Sequence, residues 1–215
     1  MKVSPSLRRV AGSILLTFAL CATARATLIL DVTSAITLTD PIQMGRLSRN
    51  GIPQDWADTE TFPGVINPAT SYHYHTYAVD ALTAVLGPFM QITFDSISAN
   101  TFVSAYYTSY NPNSVVGGNL GFDTHWLGDA GLSGNSFGVD PVFFQVAVPL
   151  GSSLIVVVNT TAAGNGGIGD PFHLLVESFT DTNFTDTPVP EPSTYGLFGA
   201  ALLAGLCIWN RRRKR

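Results

Sequence analysis

The sequence predicts an all-β domain, a β-sandwich of jelly-roll or Greek-key type, flanked by an N-terminal signal helix and a C-terminal transmembrane helix. Three observations carry this. Between residues 27 and 179, short β-branched and aromatic runs recur with Gly- and Pro-rich loops between them. No window of about 12 residues in that stretch has helical periodicity. The basic charge is also segregated. Lys2, Arg8, Arg9 and Arg25 precede residue 27, and Arg211, Arg212, Arg213, Lys214 and Arg215 close the chain. Only Arg46 and Arg49 lie between.

That segregation excludes some functions. The 215-residue chain has a formal net charge of −4, but residues 27–187 hold two arginines, no lysine and fourteen acids, a net of −12. Such a body cannot neutralise a run of phosphates, so no nucleic-acid partner is expected. Its β-branched and aromatic content argues against disorder. Both cysteines, Cys21 and Cys207, lie in the hydrophobic ends. The body must therefore be stabilised by core burial, and about 160 residues suffice for that.

Residues 1–26 have a basic start, an apolar run over 10–22, and small residues at Ala24 and Ala26. This is the layout of a secretory signal peptide cleaved after Ala26. Leu20 before Cys21 argues against lipidation of that cysteine.

In the body, Thr27–Leu38, Ser71–Leu82, Met90–Asp95, Phe102–Tyr107, Phe143–Val148, Leu154–Val158 and Phe172–Phe179 read as strands. Met90, Ile92 and Phe94 alternate with Gln91, Thr93 and Asp95, as in a half-buried strand. Phe143–Val148 and Leu154–Val158 are apolar on both faces, which suits central strands. Pro149–Ser152 between them reads as a hairpin-type turn. Asp40–Thr70 (with 42–70 its main part), Gly117–Gly138 and Ala163–Asp170 read as loops, and residues 180–188 as a polar linker.

Residues 189–215 read VPEPSTYGLFGAALLAGLCIWNRRRKR. Pro190, Glu191 and Pro192 form a stiff, extended element. Tyr195–Trp209 is uncharged, and fifteen residues span roughly 22 Å as a helix. That is short of the ~30 Å hydrocarbon core, but terminal arginines can snorkel. The basic cluster Arg211–Arg215 would hold this end in the cytoplasm.

This tripartite tail resembles the PEP-CTERM sorting signal of Gram-negative bacteria. The resemblance implies that Pro190, Glu191 and Pro192 are recognised by exosortase, a membrane cysteine transpeptidase. It further implies a brief inner-membrane intermediate, then release to the cell surface or extracellular space. Signal peptidase and the general secretion machinery are the other partners implied. An uncleaved, permanently membrane-anchored envelope protein is the rival reading of the same residues.

The body also resembles bacterial pre-peptidase C-terminal-like jelly-roll domains. The resemblance rests on Tyr74–Tyr77, Ile92–Asp95, FVSAYYTSYNPN at 102–113, WLGDAG at 126–131 and LIVVVN at 154–159, with GRLSRNGIP at 45–53 and FPG at 62–64 as lead-in. Such modules often carry a Cys pair, which this body lacks. They are accessory modules linked to binding or secretion rather than catalysis.

Catalytic chemistry is not indicated. Gly134–Gly138 fits G-x-S-x-G, but a nucleophile elbow needs a strand before Ser136 and a helix after it, and neither is expected. His73 and His75, two apart on a strand, point the same way, and a metal site would need a third ligand from His125, His173 or an Asp. Asp181–Asp186 is a fragment of a calcium-loop spacing. No cofactor is expected; a structural Ca²⁺ on loop carboxylates is the single exception considered. Tyr106, Tyr107, Tyr110, Trp56 and Trp126 could stack on sugars, although packing is the expected role. The resulting expectation is a non-enzymatic exported protein of the cell surface or extracellular matrix, associated with exopolysaccharide and biofilm. The alternative is a carbohydrate- or calcium-binding adhesin module.

Overall fold

The computed structural model describes residues 26–57, 60–79, 87–116 and 119–180. The chain divides into two units, Met1–Thr182 and Asn183–Arg215. The expected signal and membrane helices lie outside the described residues. Among the described residues, no helix is long and apolar enough to cross a membrane.

The strands are β1 (Thr27–Ala35), β2 (Ile42–Leu47), β3 (Val65–Val79), β4 (Phe89–Ser96), β5 (Thr101–Tyr107), β6 (Val115–Val116), β7 (Asn119–Leu120), β8 (Trp126–Asp129), β9 (Val142–Ala147), β10 (Leu154–Thr160) and β11 (Pro171–Phe179). They form one sheet in the order β1-β11-β4-β9 and a second in the order β2-β3-β10-β5-β8, with β6-β7 as a small hairpin. All strand pairs are antiparallel. The chain crosses between sheets at β1–β2, β3–β4, β4–β5, β8–β9, β9–β10 and β10–β11. With β2 set aside as an added edge strand, β1-β11-β4-β9 facing β3-β10-β5-β8 is the jelly-roll order.

The period-2 pattern explains the core. On β4, Met90, Ile92, Phe94 and Ser96 are buried, while Gln91, Thr93 and Asp95 lie on the other face. Phe172, Leu174 and Val176 of β11 and Val142, Phe144 and Val146 of β9 join them, against Val103, Ala105, Val156 and Val158 of the other sheet. Each such side chain, fully buried, stabilises the fold by about 1.5–3 kcal/mol before entropy is counted. The opposite face of β5 is covered as well. Phe102 packs there with Leu47 and Phe122 in a second cluster that Phe62, Val65, Tyr110, Leu120 and Trp126 border.

Four sequence expectations change. The stretch Asp40–Thr70 holds β2 and the start of β3, and Gly117–Gly138 holds β7 and β8. β2 escapes period-2 reading because its register with β3 slips between Met44 and Arg46. Gly45 sits at that bulge with φ +78°, its Cα so close to β3 that a Cβ would lie 2.9 Å from Val65 Cγ1. β9 is an edge strand, with Phe143 52% exposed, rather than a central one. Ser152 N–H does donate to Pro149 O (3.0 Å), but this turn carries the chain from one sheet to the other. β10, by contrast, is central and buried on both faces as expected.

Exposed strand edges are pairing hazards, and three of the four here are covered. A strap, residues 50–56, runs along one side of the sandwich. Gln54 N–H donates to Asp129 O (3.0 Å) at the end of β8, and Gln54 O accepts from Gln145 N–H (2.9 Å) on β9. Trp56 Nε1–H donates to Val146 O (3.1 Å), and its ring meets Phe89 and Phe179 edge-on. On the other side, the Asn113 amide stands in for a strand: its Oδ1 accepts from Met44 N–H (3.0 Å) and its Nδ2 donates to Ile42 O (2.8 Å).

β1 pairs with β11 so that Thr27 faces Ser178. The start of the body and its exit at Thr180 therefore lie side by side at one end of the sandwich.

Candidate functional site

The structure disperses the expected metal ligands. His73 and His75 do point the same way, and both meet Asp40 in the β1–β2 turn. His73 Nδ1 lies 3.0 Å from Asp40 O and His75 Nδ1 2.8 Å from Asp40 Oδ1. Burial raises the Asp40 carboxyl, but hydrogen bonds from Thr37 and His75 outweigh it and hold the group below the usual carboxylate range. His125 is elsewhere, against Ser109 Oγ (3.1 Å) and the Tyr107 ring. His173 lies on the outer face of the other sheet, 2.7 Å from Asp31 Oδ1. Among the described residues, no three His, Cys, Asp or Glu side chains gather as a metal site would need.

The tyrosines are core. Tyr106 is fully buried and packs on Tyr110, which also meets Tyr74 and Phe122. The Tyr110 hydroxyl donates to Gln43 Oε1 (2.7 Å). Burial pushes both phenols far above their ordinary value, so they stay neutral. Trp126 meets Phe62 edge-on, and Trp56 anchors the strap. None of Tyr106, Tyr110 and Trp56 is placed as an open sugar platform. Ser136 sits in a tight turn, its N–H donating to Ser133 O and its O accepting from Val139 N–H. β9, not a helix, follows it.

Two clusters were not legible in the sequence. The first is acidic. Asp129, at the end of β8, is fully buried. Its Oδ1 accepts from Gly131 N–H (2.8 Å), and its Oδ2 is buried with no hydrogen-bond partner. Burial raises its pKa to about 7; the Gly131 bond opposes this and the nearby Glu60 carboxylate adds to it. Glu60 is itself raised by burial, against a hydrogen bond from Asn50 Nδ2.

The second cluster is basic and holds both arginines of the body. β2 and the bulge at Gly45 place Arg46 at 8% exposure, with its guanidinium 5.9 Å above the Tyr72 ring and Nη1 donating to Leu47 O (3.1 Å). Its Nε is buried without a partner. Arg49, exposed at the surface, donates from Nη1 to Ser133 Oγ (2.6 Å). Burial and then repulsion from Arg46 lower the Arg49 guanidinium from its ordinary value. The ion pairs found among the described residues are His75–Asp40 and His173–Asp31, so neither arginine is paired with a carboxylate.

The sorting residues Pro190, Glu191 and Pro192, the cluster Arg211–Arg215 and the cleavage residue Ala24 lie outside the described residues. Ala26 is described and exposed, immediately before β1. Comparison with protein families matches residues 188–214 to the PEP-CTERM protein-sorting motif. This chain carries a PEP-CTERM sorting signal. The motif marks it as exported and directed to exosortase, with membrane-associated sorting of the kind typical of Gram-negative bacteria. No curated protein matches the chain. The match lies beyond the sandwich, so the body's likeness to pre-peptidase C-terminal-like modules rests on its sequence motifs alone.

Proposed function

We propose that this PEP-CTERM protein is a non-enzymatic component of the cell surface or extracellular matrix, associated with exopolysaccharide and biofilm. The observation that carries the proposal is the sorting motif at residues 188–214, attached to a body with an independent jelly-roll core. In this reading, signal peptidase removes residues 1–26. The tail then holds the chain briefly in the inner membrane, and exosortase cuts at Pro190-Glu191-Pro192 and releases the domain.

Two features support the reading. In sequence both processing sites lie outside the strands, Ala26 before β1 begins at Thr27 and the tripeptide after β11 ends at Phe179, so neither cut falls within the core. Nine of the 11 basic residues belong to the segments removed. The mature protein should therefore focus well below the whole-chain pI of about 5.4.

Mass spectrometry of the protein recovered from the exporting cells tests sorting. The expected C-terminus lies at or beside the tripeptide, and a chain still ending in Arg215 overturns the proposal in favour of a permanent anchor. Glu191→Gln removes the one charge of the tripeptide and is expected to leave unprocessed precursor in the membrane. Normal maturation of that variant would show that the carboxylate is not read.

A further inference from the structure

Strand β3 sets two imidazoles against one aspartate. His73 and His75 are two residues apart, on the strand face that carries Val79 into the core. Asp40, in the β1–β2 turn, meets both rings. Its backbone O lies 3.0 Å from His73 Nδ1, and its Oδ1 lies 2.8 Å from His75 Nδ1. The His75 side chain is 40% exposed and His73 is partly exposed, so both rings reach solvent. β1 begins beside Ser178, and the turn with Asp40 follows its other end. The pair therefore lies toward the end of the sandwich remote from Thr27 and Thr180.

Asp40 also fixes which nitrogen of each ring carries the proton. A backbone carbonyl only accepts, so His73 Nδ1 donates to it. The Asp40 carboxyl, held below its usual range, is ionised, and its Oδ2 accepts from Thr37 N–H (2.7 Å) and Thr37 Oγ1 (3.0 Å). In the neutral His75 ring, Nδ1 is therefore the donor to Oδ1. Each ring keeps its lone pair on Nε2, and neither Nε2 has a hydrogen-bond partner among the described residues. A ring whose Nδ1–H is held by a carboxylate or carbonyl, with Nε2 open, is the form in which histidine ligates a metal.

We propose that His73 and His75 bind one Cu²⁺ ion through their Nε2 atoms, with Asp40 positioning both rings and water filling the remaining coordination positions. Residues two apart on a strand stand about 7 Å apart at Cα, a gap that two imidazoles closing on one ion can bridge. Nitrogen donors select a transition ion over Ca²⁺ or Mg²⁺, and among divalent ions Cu²⁺ holds such ligands most tightly. Its tetragonal geometry accepts two imidazoles side by side. A zinc site takes three or four protein ligands, and among the described residues no group of three is found. The pair thus makes an open copper site and not a closed zinc site.

The surrounding charge acts in the same direction. Residues 27–187 carry a net of −12, which raises the local concentration of a dication. Both ligands belong to the body and stay with it whether or not the tail is cut, so this site and the sorting proposal stand or fall separately.

The test uses the full chain in detergent, without a polyhistidine tag and with Cys21 and Cys207 alkylated. Cu²⁺ binding is followed by calorimetry and by electron paramagnetic resonance. One ion per chain is expected, bound more tightly than Ni²⁺ or Zn²⁺, with nitrogen hyperfine splitting from two imidazoles. His73→Ala and His75→Ala should each weaken binding by more than about tenfold and reduce the splitting to that of one nitrogen donor. His125→Ala and His173→Ala should change neither. Asp40→Ala should weaken binding about tenfold while the two-nitrogen signature persists. The spectrum counts donors in the wild-type chain, so the result does not depend on how well a variant folds. A wild-type spectrum with one imidazole or none, or binding indifferent to His73→Ala and His75→Ala, would overturn the site. Tighter binding of Zn²⁺ than of Cu²⁺ would overturn its assignment to copper.

Discussion

Asp129→Asn is expected to flatten the pH dependence of folding and to make the protein more stable above pH 7. The carboxyl is fully buried, and its pKa is raised by burial to about 7 with Glu60 contributing, against an ordinary value of 3.8. Between those values, the folded chain keeps a proton that the unfolded chain has released. The stabilisation by that proton is complete below the unfolded pKa and is lost as pH rises through about 7. A carboxyl raised this far holds on the order of a few kcal/mol of pH-dependent stability. The amide has the same shape and cannot ionise. Urea unfolding at about pH 5 and about pH 8.5 should show a steep loss in the wild type and little in the variant. Parallel losses in both would refute the assignment.

Gly131→Ala is expected to unseat the strap. Gly131 has φ +68°, and an added Cβ would stand 2.5 Å from Ile52 C and O and 2.6 Å from Ile52 N. These are backbone atoms, so no side-chain rotation relieves the clash. Gly131 O also accepts from Gly51 N–H (3.1 Å). Gly51→Ala is the control: its φ is +81° but nothing lies within 4 Å of the added Cβ, so strain alone should cost about 1–2 kcal/mol. Gly131→Ala should lose clearly more, on the order of a few kcal/mol, and expose residues 50–56 to limited proteolysis. Equal losses in the two variants would mean that the strap does not depend on this approach.

Both predictions concern features that no single stretch of sequence announces. Strand β4 could be read directly, because one of its faces is buried and the other is not, and β10 likewise, because both are buried. β9 has the composition of a central strand, yet it is an edge strand whose Gln145 and Val146 meet a strap that only the folded chain brings there. β2 was hidden by its own bulge and by the prolines around it. The tyrosines at 106, 107 and 110 could have been surface or core. For Tyr106 and Tyr110 the choice depended on Tyr110 and Phe122 packing over the outer face of β5, a tertiary event. The arginines were visible as the lone cations of the body. The burial of Arg46 against Tyr72 was not, because it depends on the bulge at Gly45. The sorting tail was legible for the opposite reason. It is a linear signal, read as an extended peptide, and needs no partner elsewhere in the fold.

The exit at Thr180 has a mechanical consequence. It continues β11, which is hydrogen-bonded to β1 on one side and to β4 on the other, over eight residue pairs in each ladder. A pull on this exit against an attachment at the opposite end of the sandwich runs along the strand. Such a load is shared by both ladders at once, in shear, instead of opening one hydrogen bond after another like a zipper. Until the tail is cut, the precursor is thus held through an interior strand, the arrangement that best resists tension along its length.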